Sequence, residues 1–153
     1  MTEQHEIRFG TSGFRGRWGI EFTEERVKWV AEAICRDLVR TGHSGNILVL
    51  SYDSRLHADQ VAKWCAEVIL AHNFQLHFTS RDTPTPALIY YGIEVLGESQ
   101  IAGVVNCTAS HNPIEWQGIK FSPSNGCPAP PDVTSRIEAL ANQYQIENKH
   151  VHS

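Results

Sequence analysis

Short apolar runs alternate with longer helical patterns along this chain, and this alternation constrains its fold most strongly. The run Ile47–Leu50 is continuous, as in a strand covered on both faces, whereas apolar residues from Val27 to Leu38 recur at helical spacing. The alternation predicts a three-layer α/β/α domain in which at least some neighbouring strands are parallel. Strands are predicted at 6–9, 47–50, 76–78, 100–105 and 119–121, and helical periodicity spans 27–38, 61–69, 88–96 and 133–144.

Several helix ends can also be read from the sequence. Thr23 is typical of a residue that caps the first helix, and Gly42 is typical of one that ends it. Asn73 is predicted to end the second helix in a left-handed conformation. Thr85 is predicted to cap the third helix, with Pro86 as its first residue.

Length and composition indicate a single globular domain. The chain has 153 residues, of which 41% are hydrophobic. Its net charge of -4 argues against a nucleic-acid partner, and no apolar run is long enough for a membrane span. The polar N-terminus does not have the pattern of a secretory signal and no C-x-x-C pair occurs, so we expect a cytoplasmic protein with reduced thiols. We expect the domain to occupy residues 1–146 and a polar, disordered tail to occupy 147–153.

The segment 108–113 (TASHNP), here called the Ser110 loop, carries the strongest functional signal. It directly follows an apolar run, and doubly wound sheets place their chemistry where strands end. Ser110 is the candidate nucleophile or phosphate carrier, although a serine needs a base or cations to activate it. An ordinary turn is the alternative, because Ser, Asn and Pro are common turn residues. A hydrolase that uses Ser110 with His111 is disfavoured, because adjacent side chains on a loop diverge and no G-x-S-x-G elbow is present.

Three basic residues are candidate partners for Ser110. Arg15 lies in a glycine-rich turn, where the backbone can approach an anion and a guanidinium can bind phosphate in a fork. Lys120 offers a point charge or a proton-transfer group. Arg55 follows another strand together with Asp53, and we expect this pair to support the Ser110 loop. The structural alternatives are an exposed arginine and a solvated surface lysine.

Taken in chain order, these motifs resemble the phosphoglucomutase/phosphomannomutase family, the α-D-phosphohexomutases. The resemblance covers residues 6 to about 142, and the Ser110 loop is its most specific part. It implies the first domain of a four-domain enzyme, namely an α/β/α sandwich with a mixed, mostly parallel sheet whose last strand runs antiparallel to the others. The matching segments are 9–16 (FGTSGFRG), 52–55 (YDSR), 83–86 (TPTP), 108–113 (TASHNP), 118–120 (GIK) and 125–126 (NG).

The resemblance also implies roles for individual residues. Ser110 matches the serine that carries the catalytic phosphate, which moves between the 1- and 6-positions of hexose phosphates through a bound hexose 1,6-bisphosphate. Arg15 and Lys120 match residues that assist proton transfer and charge stabilisation, and His111 matches a histidine close to the transferring group. We expect all three to be catalytic. Phosphate binding or loop support is expected of five further residues: Thr11, Ser12, Thr108, Asn112 and Arg55.

The implied cofactors are Mg²⁺, bound in part by the phosphate on Ser110, and glucose 1,6-bisphosphate as activator. The other metal ligands are expected on a second domain, since no D-G-D-x-D-R motif occurs in this chain. Expected partners are a hexose phosphate and domains II–IV in cis or in trans, so the chain alone should not complete a turnover. Gln117 and Cys127 stand where the family usually has asparagine and glycine. A stand-alone, non-catalytic module that binds sugar phosphates or a partner chain is the alternative function.

Overall fold

A computed structural model describes residues 5–151 of the chain. It contains five strands and four helices in the described range, and the third helix ends in a π-helical segment. In chain order the elements are β1 (Phe14–Arg17), α1 (Glu24–Arg40), β2 (Ile47–Tyr52), α2 (Ala58–Ala71), β3 (Gln75–Phe78), α3 (Thr85–Tyr90, continued by the π-helical Tyr91–Leu96), β4 (Ile101–Cys107), β5 (Trp116–Pro123) and α4 (Pro131–Glu147).

The five strands form one mixed sheet in the order β1-β5-β4-β2-β3. Strand β2 pairs in parallel with both β3 and β4, whereas β5 pairs antiparallel with β4 and β1. Strand β5 therefore runs against the other four. The expected mixed, mostly parallel sheet with an antiparallel last strand is confirmed.

Helices cover both faces of the sheet, which confirms the three-layer α/β/α architecture. Helices α1, α2 and α4 pack together over one face, and the main core lies beneath them. Helix α3 covers the β2–β4 part of the other face, where Leu88 packs with Val49, Ile101 and Val104. Because α3 is the one helix of residues 5–151 on that face, the β5–β1 part of the sheet carries none of the described helices there.

The predicted ends of the first two helices are confirmed. Thr23 caps α1, and its hydroxyl accepts a hydrogen bond from the backbone N–H of Arg26. Gly42 follows the helix with a φ of +90°, a conformation that glycine adopts without strain. Asn73 ends α2 in the left-handed region, with a φ of +62°.

Helix α3 begins one residue earlier than predicted. Pro84 is the cap and Thr85 is already helical. The Thr85 hydroxyl does not cap the helix, because it accepts a hydrogen bond from Asn106 Nδ2 at 2.8 Å. Helix α3 is thereby anchored to β4.

The strand predicted at 6–9 is wrong, and the first strand lies instead inside the glycine-rich segment. The backbone N–H groups of Ile7 and Phe9 donate to Asn142 Oδ1 and Glu138 Oε2, two side chains on α4. With its donors bonded to side chains, this segment lies against a helix and joins no strand. Strand β1 pairs with β5 immediately afterwards.

The C-terminal segment is more ordered than predicted. Helix α4 continues to Glu147, and Trp29 Nε1 donates to the carbonyl oxygen of Lys149 at 2.9 Å. The expected tail at 147–153 is thus held against α1 as far as Val151, and its last two residues lie outside the described range. Between residues 5 and 151, no helix combines the length and the apolar character needed to cross a bilayer.

Candidate active site

The Ser110 loop leaves the carboxyl end of β4 and borders an open cleft of about 900 Å³. The cleft lies among the ends of β2 and β4 and the beginning of α3. Polar residues from all three regions line it: Asp53, Arg55, Thr85, Asn106, Thr108, Ser110, His111 and Asn112. Four of the predicted site residues besides Ser110 are therefore gathered around one concave surface.

The loop presents Ser110 in an unusual backbone conformation. The φ of Ser110 is +53°, in the left-handed region that non-glycine residues seldom occupy. Its backbone N–H donates to Thr108 Oγ1 at 3.0 Å, and the Asn112 N–H donates to the Ala109 carbonyl at 3.0 Å. Ala109 is buried, whereas Ser110 is exposed. The turn thus directs the serine hydroxyl away from the core.

One guanidinium holds the main chain of the loop and of the segment after it. Arg55 Nη2 donates to the carbonyl oxygens of Ser110 and Asn112, at 2.8 and 2.7 Å. Arg55 Nη1 donates to those of Pro113 and Trp116, at 2.7 and 3.2 Å. The planar fork of donors in arginine suits such an array.

Asp53 orients both Arg55 and the start of the loop. Its Oδ2 accepts hydrogen bonds from Arg55 Nε at 3.2 Å and from Thr108 Oγ1 at 2.7 Å. Its Oδ1 accepts from the backbone N–H of Arg55 at 3.0 Å. Since Thr108 in turn accepts from the Ser110 N–H, a continuous chain of hydrogen bonds leads from β2 to Ser110.

Arg15 approaches the loop from the other side. It lies on β1, and its Nη1 donates to Asn112 Oδ1 at 2.8 Å. Its Nε is buried and has no hydrogen-bond partner among residues 5–151. The cross-strand partner of Arg15 is Gly118, where a Cβ would overlap the carbonyl oxygen of Thr108. Glycine at this position allows β5 to pack directly beneath the loop.

The remaining predicted residues lie at or beyond the border of the cleft. His111 is exposed and lines the cleft. Lys120 lies on β5 and lines a neighbouring groove along α3. Thr11 and Ser12 lie on an exposed turn, and the hydrogen bonds of the described chain include none from their side chains to the Ser110 loop. The predicted roles of Thr11 and Ser12 in phosphate binding therefore remain predictions.

Two buried amides near the site were not predicted as site residues. Gln117 Nε2 donates to the carbonyl oxygen of Leu56 at 2.6 Å and so ties the Arg55 segment to β5. Asn106 lies on β4 in an otherwise apolar run and bonds to Thr85. The signal available in the sequence was that Asn106 is polar within the apolar run of β4, just before the Ser110 loop.

The cysteine beside the loop is not a competing nucleophile. A hydrogen bond with Cys65, together with complete burial, raises the pKa of the Cys107 thiol, so this thiol stays protonated. For metal binding, no three His, Cys, Asp or Glu residues are grouped in the described part of the chain. Asp53, the carboxylate of the cleft, is already engaged by Arg55 and Thr108.

Comparisons with known proteins identify one family and solved structures of the same fold. The family described as phosphoglucomutase/phosphomannomutase, alpha/beta/alpha domain I, matches residues 6–147. A phosphoglucomutase of Komagataeibacter xylinus is 32% identical over 92% of this chain, which covers 26% of that protein. A phosphoglucosamine mutase of Desulforamulus reducens is 34% identical over 91% of this chain, which covers 30% of it.

Solved structures agree. A protein assigned as a phosphomannomutase from Thermus thermophilus superposes with a TM-score of 0.81 and 34% identity, over 90% of this chain and 30% of its own. The chain thus spans less than a third of the relatives that it matches. Because the match extends over almost the whole chain, the chain belongs to the phosphoglucomutase/phosphomannomutase family and corresponds to its α/β/α domain I.

Proposed function

We propose that this chain is the phosphoserine-bearing domain of a hexose-phosphate mutase. Ser110 carries a phosphoryl group that moves between the 1- and 6-positions of the sugar. The single observation that supports this most is the exposed, left-handed Ser110 on a loop whose backbone is held by Arg55. A transferred phosphoryl group requires a fixed carrier and fixed cations more than it requires elaborate covalent chemistry.

The proposed reaction consists of two transfers that balance. In the first, a hydroxyl oxygen of a hexose monophosphate bonds to the phosphorus on Ser110 while the Ser110 Oγ–P bond breaks. The sugar loses a proton, Ser110 regains one, and a hexose 1,6-bisphosphate results. After the bisphosphate reorients, Ser110 Oγ attacks its other phosphate, and the isomeric monophosphate leaves. Glucose 1,6-bisphosphate activates the protein by the second transfer alone.

The cations around the loop suit this chemistry. Arg15 donates to Asn112, two residues from Ser110, and so brings a guanidinium charge to the loop that would neutralise phosphoryl oxygens there. Lys120, which lines the adjoining α3 groove, supplies a further positive charge and a proton, and His111 lines the cleft next to Ser110 in the chain. Thr108 and Arg55 support the loop, and the exposed Thr11 and Ser12 are the proposed additional phosphate-binding residues.

Mg²⁺ is the proposed metal, but the side chains of this chain do not form a site for it by themselves. Residues 5–151 offer no group of three metal-binding side chains, and Arg55 and Thr108 occupy the Asp53 carboxylate. The ligand that this chain contributes is the phosphate on Ser110. The remaining ligands belong to a second domain, and a bound Mg²⁺ would withdraw charge from the phosphate.

The first test is phosphate uptake by the purified chain. The chain is incubated with glucose 1,6-bisphosphate and Mg²⁺, and the added mass is mapped by peptide mass spectrometry. We expect phosphate on Ser110 and none in Ser110→Ala. Ser54→Ala, which changes another serine of the same cleft, should retain the uptake.

Turnover is the second test, and it separates the carrier domain from a binding module. Domains II–IV of a relative are added as a separate chain, and glucose 1-phosphate conversion is followed. We expect conversion only with both chains and only with Ser110 intact. A chain that binds sugar phosphate equally well as Ser110→Ala, and never acquires phosphate, would instead be the non-catalytic module.

A further inference from the structure

Asn106 has an unsatisfied acceptor at the edge of the cleft. Its side chain is buried, with 2% of the residue exposed, and Nδ2 donates to Thr85 Oγ1 at 2.8 Å. Its Oδ1 is buried and accepts no hydrogen bond from residues 5–151. A buried carbonyl oxygen without a donor is costly, so such atoms generally have a partner in some state of the protein.

Lys120 is the cross-strand partner of Asn106 in the β4–β5 pair. Opposed residues in an antiparallel pair place their side chains on the same face, with Cβ atoms about 5 Å apart. Lys120 Nζ forms no ion pair or hydrogen bond within the described range, and its side chain lines the groove formed by Ile89, Tyr90 and Ile93. An unpaired donor and an unpaired buried acceptor are therefore neighbours.

We propose that Asn106 is a positioning residue whose Oδ1 accepts a hydrogen bond from Lys120 Nζ and turns the ammonium from the α3 groove toward the Ser110 cleft. This inference rests on the proposed function, in which Lys120 serves the phosphoryl group. Asn106 lines the Ser110 cleft and Lys120 lines the adjoining groove. Thr85 and Pro86 line both the cleft and the groove. Rotation of the Lys120 side chain would thus carry its ammonium from the α3 groove to the Ser110 cleft.

The chemistry of the acceptor fits this role. A carboxylate at position 106 would neutralise the ammonium and weaken its attraction for phosphate. A neutral amide oxygen orients the ammonium and leaves its charge available. Asn106 Nδ2 donates to Thr85 Oγ1, which leaves the amide oxygen as the free acceptor.

The test measures the acylation rate of Lys120 by an amine-reactive ester in the 153-residue chain, without sugar, in the presence and absence of inorganic phosphate. Peptide mass spectrometry gives the rate, with the exposed Lys63 as internal reference. In Asn106→Leu we expect Lys120 to react about tenfold faster relative to Lys63, the change expected when one charge-assisted hydrogen bond is lost. Asn106→Asp keeps an acceptor and should restore the slow rate.

The matched control is Gln117→Leu. It removes an equally buried amide from the strand that carries Lys120, but from the opposite face of the sheet. Its Lys120 rate should equal that of the wild type. Equal Lys120 rates in Asn106→Leu and the wild type, with and without phosphate, would overturn the proposal.

A second measurement does not depend on substituting a buried residue. In Lys120→Met, the Asn106 ¹³Cγ resonance should shift relative to the wild type with phosphate present, because its hydrogen bond is lost. An unchanged resonance would refute the link. Neither measurement involves transfer to Ser110, so the two ideas fail separately. Loss of both phosphate uptake and turnover would refute the proposed function and leave the Asn106–Lys120 hydrogen bond standing without its role in phosphoryl transfer.

Discussion

At the scale of single residues, the backbone of Ser110 makes a sharp prediction. An L-residue in the left-handed region costs about 1 kcal/mol relative to glycine. Because φ at Ser110 is +53°, we expect Ser110→Gly to be more stable than Ser110→Ala by about 1 kcal/mol in urea unfolding. At an ordinary φ the order is reversed, since glycine gains more freedom in the unfolded chain.

Ser122 provides the comparison, because it lies within β5. There Ser122→Ala should be the more stable of the two variants. The same order at both positions would mean that the loop does not hold Ser110 in the left-handed conformation in solution.

Position at a strand end made Ser110 and Arg55 candidate neighbours, and a glycine-rich turn made Arg15 a third; the structure bonds Arg55 to Ser110 and Arg15 to Asn112. What the sequence could not provide is how the amides are bonded. Whether Asn106 or Gln117 has a free oxygen depends on which groups face it from another strand or loop, at separations of 21 and 61 residues along the chain. Such pairings are decided by the packed sheet, and no local pattern records them.

At the scale of elements, Glu32 ties α1 to the end of α2 and to the C-terminal segment. Its carboxylate is buried and bonds to His72 Nε2 at 2.6 Å and Arg36 Nε at 2.9 Å, with Lys149 Nζ at 3.6 Å. Burial raises the pKa of Glu32, but the hydrogen bonds and charges of His72 and Arg36 outweigh it. The net pKa lies below the ordinary value.

This lowered pKa predicts an acid-sensitive junction. A carboxyl whose folded pKa is below its unfolded value stabilises the fold above the unfolded value, and that contribution is lost as pH falls through the folded value. Glu32→Gln should cost about 1–3 kcal/mol at neutral pH and should flatten the fall of stability below about pH 4. Urea unfolding across pH measures both effects. The exposed Glu25→Gln should follow the wild type, whereas parallel acid profiles for Glu32→Gln and the wild type would contradict the assignment.

Most elements followed from periodicity, and the exceptions have a common cause. The 6–9 segment has strand-like side chains, yet its backbone donors bond to side chains of Glu138 and Asn142. Strand β1 lies in a glycine-rich segment, which usually indicates a loop. It is a strand because its backbone pairs with β5. In both cases a partner more than 90 residues away in the chain decided the structure.

At the scale of the whole molecule, large apolar side chains stand exposed beside the cleft. Leu56 is 69% exposed and Ile114 is 78% exposed, and both line the cleft. If further domains close over the cleft, as the proposed function requires, these side chains become buried. Burial of one such side chain contributes about 1.5–3 kcal/mol.

We therefore expect Ile114→Ser to weaken association with separately supplied domains II–IV by about tenfold or more, with little change in the stability of the chain alone. Titration of restored mutase activity measures the affinity. The control is Ile146→Ser, which removes an equally exposed isoleucine (80%) from α4, outside the cleft lining. Equal weakening by both variants would exclude the cleft as the contact surface.

The contacts of Arg55 separate the shape of the active loop from its chemistry. Arg55 donates to main-chain carbonyl oxygens, which every amino acid possesses. None of its hydrogen bonds within residues 5–151 goes to a side chain of the Ser110 loop. Substitutions within 110–113 that suit the backbone conformation of each position can thus alter reactivity while Arg55 keeps the path of the main chain. Evolution or protein engineering can therefore change the reactive side chains of the loop without rebuilding the contacts that fix its main chain.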